Sequence, residues 1–402
     1  MKKVFYIQAV AFSLLVVLVA FPIFRKKNAS PAPPTVSIPT PRESIIIPKK
    51  KSQHPKRRRP THEANVISPA DIARVNEYRK AAEQGDVEAE DALGRMYFEG
   101  KGVNQDYQEA FKWFQKSADQ GNPDAEVKMG VLYIYGNGVP KDFTAALKWF
   151  RKAAALGNPN AEFDIGASYE NGWGVEKDNQ AAMSWMQKAA AQGYSRAMGN
   201  IGFLYENGEG VKKDYQSAIN WYQKGAALED TNSETCIGRM YEGGLGVARD
   251  YQQAKNWYQK AVDQGDATAE YLMGMLYENG EINVNDSGVT LKSYKGIYSG
   301  ESMKWFLKAA AHGDADGDIA VGVHYEMGEG VKVNLPKAVK WYKKAAALGN
   351  SQAYQIMGDI YHAGKGVPKD DRKAIEWYQK AISGGRPWVQ ASIDEINNQK
   401  VK

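Results

Sequence analysis

The sequence predicts an all-α protein: a right-handed α/α superhelical solenoid of about eight 36-residue helix-turn-helix repeats, preceded by an N-terminal transmembrane helix and a disordered stalk. Three observations lead to this prediction. A glycine recurs every 36 residues, aromatic residues stand at fixed distances from it, and a long uncharged segment precedes a basic, proline-rich stretch.

The N-terminal segment comes first. Val4 to Phe24 carries no charge and, as a helix, is long enough to cross ~30 Å of hydrocarbon. Leu18-Val19-Ala20 is a poor cleavage site and the cations Arg25 to Lys27 follow, so an uncleaved anchor over residues 1–27 is favoured over a cleaved signal peptide. Arg25 to Lys27 also outnumber Lys2 and Lys3, which by the positive-inside rule would keep the body cytoplasmic.

Residues 28–70 are rich in proline and contain two cationic clusters, Lys49 to Lys51 and Lys56 to Arg59. This composition predicts an extended, disordered stalk. Residues 1–70 hold 13 basic and 2 acidic side chains, which leaves 39 basic and 45 acidic ones in the rest of the chain. The mildly acidic body disfavours binding to nucleic acid.

A recurring glycine marks each repeat. A tyrosine follows each repeat glycine after three residues, and a tryptophan follows seven of the eight after nineteen, the eighth being displaced by a 12-residue insertion. The repeat glycines are Gly94, Gly130, Gly166, Gly202, Gly238, Gly274, Gly322 and Gly358.

Each repeat reads as two helices. Apolar residues at helical spacing around the repeat glycine predict a first helix, and a Gly-x-Gly turn such as Gly100 and Gly102 ends it. An aspartate such as Asp106 can cap the second helix, in which Ala110 and Trp113 stand three residues apart. A glycine inside a helix costs ~1 kcal/mol relative to alanine, so its recurrence predicts close helix contact.

No helix pair can bury its own apolar face, whereas stacked pairs can, so residues 71–386 are predicted to form one solenoid. It comprises a half-repeat cap at 71–87 and repeats over 88–386, with the insertion at about 282–300 in repeat six. Residues 387–402 are predicted to form a closing helix.

The pattern Ala-x-x-x-Leu-Gly-x-x-Tyr-x-x-Gly-x-Gly-Val, followed by Asp, Ala, Trp, Lys-Ala-Ala and Gly, resembles the Sel-one-like repeat family, relatives of the tetratricopeptide repeat, and is nearly intact in Ala89 to Gly121. The resemblance implies an adaptor or scaffold and not catalysis. Many bacterial members look exported or membrane-bound, and some resemble immunity proteins against secreted toxins. It therefore favours a single-pass inner-membrane protein with a periplasmic body; a cytoplasmic body, or a cleaved signal and a soluble periplasmic body, are the alternatives.

Function is expected where the repeats differ. We call the residues three before, one after and four after each repeat glycine the groove positions, because they face away from the predicted core and should line a concave surface. Four groove positions hold large apolar residues and predict an exposed apolar stripe: Phe163, Phe203, Tyr271 and Met275. Arg239 occupies another groove position. The alternative is that these side chains pack against first helices of neighbouring repeats.

Four residues after the glycine, carboxylates form a ladder that would attract a basic or amide-rich segment: Glu170, Glu206, Glu242, Glu278 and Glu326. The alternative is that they are solubilising residues near the turns.

Two further aromatic features predict partner contacts. Trp173 stands in a turn where other repeats have polar residues or leucine, and the insertion carries Lys292, Tyr294, Lys295 and Tyr298. A tolerated surface insertion is the alternative for the latter.

Catalytic, cofactor and metal sites are not predicted. His312, His324 and His362 occupy unrelated repeat positions, so no metal-ligand spacing appears, and Cys236 fits a packing role. The sequence thus predicts a membrane-anchored scaffold that binds a protein or peptide. An immunity-type inhibitor is the alternative, and a cell-wall enzyme using Glu170 or Glu206 is a less favoured one.

Overall fold

The computed structural model describes residues 68–279 and 299–400. These residues form eighteen α-helices in consecutive antiparallel pairs, which confirms the predicted all-α solenoid. The helices are α1 (Pro69–Glu83), α2 (Val87–Glu99), α3 (Tyr107–Asp119), α4 (Pro123–Tyr135), α5 (Phe143–Ala155), α6 (Pro159–Asn171), α7 (Asn179–Ala191), α8 (Ser195–Asn207), α9 (Tyr215–Ala226), α10 (Thr231–Gly243), α11 (Tyr251–Asp263), α12 (Ala267–Glu278), α13 (Ser299–Ala311), α14 (Ala315–Met327), α15 (Leu335–Ala347), α16 (Ser351–Ala363), α17 (Asp371–Ser383) and α18 (Gln390–Lys400).

The predicted turn chemistry sets the helix ends. Gly136 ends α4 in the left-handed conformation, with φ of 72°, which glycine adopts without steric cost. Asp142 then caps α5, because its Oδ1 accepts hydrogen bonds from the backbone N–H of Thr144 and Ala145, each at 2.9 Å. The turn that closes repeat four departs from this rule: Glu229 occupies the left-handed region there, with φ of 60°.

The repeat glycine brings the two helices of a pair together. A Cβ atom built on Gly202 would lie 2.7 Å from the Tyr222 ring and 3.1 Å from the Ala218 carbonyl oxygen, so no larger residue fits. The tryptophan and lysine of each second helix also interact, since the lysine ammonium lies over the indole ring, as at Lys188 and Trp185, 3.8 Å from the ring centroid. The recurrent Trp-x-x-Lys pattern is therefore a contact within one helix.

The core is a row of clusters that cross from one repeat to the next. The second helix of each repeat packs on its own first helix and on the first helix of the following repeat. Two pairs of first helices from successive repeats also contact each other: α8 contacts α10, and α12 contacts α14. At the far end, Val389, Ile393 and Ile396 cover Tyr378.

None of the described helices is both long enough and apolar enough to cross a bilayer. The predicted anchor at Val4 to Phe24 and nearly all of the predicted stalk lie outside the described residues.

Candidate partner-binding groove

The predicted apolar stripe is largely buried. Phe163 is 5% exposed and packs against Tyr194, with ring centroids 5.3 Å apart, in a cluster that includes Met186. Met275 is also 5% exposed, and the half-buried Tyr271 lies 5.7 Å from the Phe306 ring. The prediction of exposure was wrong for Phe163 and Met275, because the next repeat covers these positions.

Phe203 and Arg239 remain at the surface. Phe203 of repeat four is partly exposed, and the Arg239 side chain of repeat five is 35% exposed with its guanidinium 3.7 Å from a Glu206 oxygen. Near Arg239, burial raises the pKa of the Cys236 thiol to about 12, although the guanidinium opposes the shift. Cys236 is therefore a neutral thiol, as its expected packing role requires.

Three rungs of the predicted carboxylate ladder are used inside the protein. The phenol of a buried tyrosine on the second helix donates a hydrogen bond to the glutamate of its own repeat: Tyr222 to Glu206 at 2.7 Å, Tyr258 to Glu242 at 2.6 Å and Tyr342 to Glu326 at 2.9 Å. Burial is the main cause that raises the pKa of Tyr222 and Tyr258 well above the usual value, and the neighbouring carboxylates add to it. The prediction that every glutamate of the ladder is available to a partner is therefore corrected for these three.

Glu170 differs from those three rungs. Met186 occupies the position that Tyr222 holds in the next repeat, so the phenol that holds Glu206 has no counterpart at this position of repeat three. Burial and the nearby Glu209 raise the pKa of Glu170 to about 7, with Lys177 opposing. At neutral pH the carboxyl is poised between its two protonation states.

A line of alternating charges in repeats one to four was not predicted. Arg95 forms an ion pair with Asp91, which is 2% exposed, and its guanidinium lies 3.7 Å from Asp124. Further along the first helices, burial raises the pKa of Asp164 to about 7 against the pull of Arg196 and Lys128. Counted from their repeat glycines, these residues stand six, three or two residues before or one residue after, so no single repeat position identifies them. Only the alternation of positive and negative side chains from one repeat to the next could have revealed the line.

Trp173 is not the isolated exposed aromatic that the sequence suggested. Its ring is partly buried and stacks on Phe143 of the preceding repeat, with centroids 5.7 Å apart and an interplanar angle of 4°. Lys292, Tyr294, Lys295 and Tyr298 lie outside the described residues.

The end of α12 and the turn after α14 bring together a set that sequence spacing did not indicate. His324 is 1% exposed; its Nδ1 lies 2.8 Å from the backbone oxygen of Glu329 and its Nε2 lies 3.4 Å from Glu278 Oε2. Burial disfavours the charged imidazole, but the Glu278 carboxylate outweighs it and raises the pKa of His324. Glu278 lies 46 residues before His324 in sequence, and the two meet because repeats six and seven are stacked.

The helix pairs coincide with matches to a known repeat family. The Sel1 repeat family matches residues 78–86, 87–122, 123–158, 159–194, 195–230, 237–266, 267–287, 300–314, 315–350 and 351–385. A comparison with curated protein sequences gave no match.

Solved structures with the same fold include a Sel1 repeat protein from Oxalobacter formigenes, 29% identical with a TM-score of 0.52, over 84% of this chain and 98% of that one. The protein c5321 of uropathogenic Escherichia coli, described as a protective antigen, is 29% identical with a TM-score of 0.46, over 81% of this chain and 83% of that one. Immunity protein PA5088 from Pseudomonas aeruginosa is 20% identical with a TM-score of 0.42, over 56% of this chain and 81% of that one.

The spacing of Gly, Tyr, Trp and Lys in the repeat and the stacked helix pairs agree with the match to the family model. The chain belongs to the Sel1 repeat family, whose repeats serve as scaffolds for protein–protein interaction.

Proposed function

We propose that this protein is a membrane-anchored adaptor whose first-helix surface in repeats three to five binds a protein or peptide segment. The observation that carries the proposal is the set Glu170, Phe203 and Arg239. They occupy groove positions of three consecutive repeats, and each keeps part of its side chain at the surface while most neighbouring groove positions are covered.

The chemistry of this set suits a peptide. Arginine and aromatic side chains are the residue types that carry most binding energy in protein interfaces. Glu170 lacks the phenol that holds Glu206 and Glu242, so a donor from a partner could take that place. A segment with an amide or basic group beside an apolar side chain fits this arrangement.

The anchor part of the proposal is supported by the uncharged segment Val4 to Phe24 and the cations on both sides of it. We place the anchor in the bacterial inner membrane and the body in the periplasm. Alkaline phosphatase fused after Lys402 should be active, because this enzyme works only after export. Inactive phosphatase together with a fluorescent cytoplasmic reporter fusion would reverse the orientation.

The groove is tested by placing a photo-crosslinking amino acid at position 203 or at position 156 in cells. Leu156 is 58% exposed at the end of α5, outside the groove positions, and is the matched control. We expect position 203 alone to capture one specific partner. Equal capture from both positions would reject the groove.

Binding of the captured partner is then measured with Phe203→Ala and Arg239→Gln, which should each weaken it by about 30-fold, as expected for the loss of an interface anchor of about 2 kcal/mol. Leu156→Ala should leave binding unchanged. A partner that is a single secreted toxic enzyme, released very slowly, would instead identify an immunity-type inhibitor. Loss of an enzymatic turnover in Glu170→Gln with binding intact would point to the cell-wall enzyme.

A further inference from the structure

The side chains of Glu278, His324 and Glu329 form a compact set of possible metal ligands between repeats six and seven. One ligand atom from each residue can be chosen so that all three lie within 4.8 Å of one another. Glu278 is the last residue of α12, His324 lies in α14, and Glu329 lies in the turn that follows α14. The set therefore joins two segments of the solenoid: the end of α12, and α14 with the turn that follows it.

The hydrogen bonding of His324 leaves a conflict that a cation would resolve. A backbone carbonyl can only accept, so the contact of Nδ1 with the Glu329 oxygen at 2.8 Å places a proton on Nδ1. In the neutral ring Nε2 then carries a lone pair, and this lone pair faces the acceptor Oε2 of Glu278 at 3.4 Å. Two acceptors that face each other need a positive charge between them.

The distance favours a metal ion over a proton. A hydrogen bond between imidazolium and carboxylate is about 2.7–2.9 Å long, and the observed 3.4 Å exceeds that. Two ligands that each lie about 2.1 Å from a tetrahedral Zn²⁺ are about 3.4 Å apart. A metal-bound histidine also commonly donates its other N–H to a backbone carbonyl, which is the arrangement of His324.

The other repeats lack this combination. The position two residues after the repeat glycine holds Met, Leu, Ser or Ile elsewhere, so His324 places an imidazole in what is otherwise a core position. Its ring is fixed by an edge contact with Phe306, with centroids 5.4 Å apart. Glu278 is 28% exposed, which leaves a path for an ion and room for a bound water.

We propose that Glu278, His324 and Glu329 bind one divalent transition-metal cation, with Zn²⁺ as the best match to one imidazole and two carboxylates. The ion would tie the end of α12 to the turn after α14. It would thereby brace the repeat that carries the sequence insertion, since the inserted residues follow Glu278 along the chain.

The test uses the full chain in detergent, without a histidine tag, after treatment with a chelator. Zn²⁺ is added, unbound ion is removed by gel filtration, and the metal is counted by mass spectrometry. We expect one Zn²⁺ per chain, a thermal unfolding midpoint that rises with Zn²⁺, and the visible absorption of a tetrahedral site when Co²⁺ replaces it.

Three variants test the ligands. Glu278→Gln and Glu329→Gln each remove one carboxylate with little change of shape, and His324→Leu installs the residue that repeats two and four have at this position. Each should weaken Zn²⁺ binding by at least about 10-fold. Asp371→Asn is the matched control, because it breaks a histidine–carboxylate pair with His362, 2.6 Å long, that lies elsewhere in the solenoid.

The proposal is overturned if the wild-type chain retains no Zn²⁺, since a shared proton then satisfies the pair. It is equally overturned if the three variants bind Zn²⁺ as tightly as the wild type and Asp371→Asn do. These readouts do not depend on any partner in the groove, so they succeed or fail independently of the proposed adaptor function.

Discussion

Repeat two and repeat four have the same backbone arrangement and opposite chemistry at its centre. In repeat two Phe150 is 1% exposed, and the groove positions that correspond to Asp359 of repeat eight and Glu206 of repeat four hold Val131 and Ile134, both buried. In repeat four Tyr222 is equally buried, and its hydroxyl donates to Glu206 at 2.7 Å. One repeat excludes polar groups from this site, and the other satisfies a polar pair inside it.

The difference shows that the tyrosine and the carboxylate belong together. A buried hydroxyl without an acceptor costs about 1–3 kcal/mol, so a phenol at this position requires an acid nearby. Repeat eight meets the requirement in another way, with Tyr378 donating to Asp359 at 2.8 Å. The glutamates that resemble a binding ladder in the sequence are therefore in part internal partners of the phenols.

The largest loss of stability is expected at the repeat glycine, which repeats two and four share. Gly202→Ala would place a methyl group 2.7 Å from the Tyr222 ring and 3.1 Å from a backbone carbonyl, which cannot move without separating the helices. We expect a loss of about 3 kcal/mol in the free energy of unfolding, measured by urea denaturation with circular dichroism. Gly300→Ala is the control: nothing lies within 4 Å of its Cβ, so this variant should be slightly more stable. Equal effects of the two changes would contradict close packing at the repeat glycine.

The second prediction converts repeat two towards repeat four. Phe150→Tyr introduces a buried hydroxyl in a repeat where Val131 and Ile134 stand at the positions that supply the acid in repeats eight and four. It should destabilise the protein by about 2 kcal/mol in the same denaturation assay. The reverse change, Tyr222→Phe, removes one hydrogen bond and should cost about 1 kcal/mol. If Phe150→Tyr were neutral, the pairing of phenol and acid would not govern this site.

The third prediction concerns Glu170, which has neither arrangement. Its folded-state pKa, about 7, lies above the unfolded value near 4.3, so its protonated form stabilises the fold at low pH. That contribution is lost as pH rises through about 7. Glu170→Gln mimics the protonated form and should gain stability relative to wild type between pH 5 and pH 8, as measured by thermal unfolding. Asp164 titrates in the same pH range in the wild type and in Glu170→Gln. The difference in stability between these two proteins therefore reports on Glu170. A difference that does not change with pH would contradict the raised pKa.

Most of the fold could be read from single residues, and much of the site could not. Gly202, Tyr205, Asp214 and Trp221 stand at fixed spacings, and each has a local physical role that defines the helix pair. Phe163 has no such local role. Whether its ring faces solvent depends on how closely the next repeat approaches, and that distance is not encoded at position 163.

The sequence by itself determined the repeat length, the two helices of each unit, their caps and turns and the stacking of the units, because these depend on contacts within about one period of the chain. The tertiary structure alone decided which groove positions stay open, which glutamates accept a phenol and how His324 meets Glu278, 46 residues away in sequence. Those outcomes depend on the side chains of adjacent repeats, which share one surface in space although a whole repeat separates them along the chain.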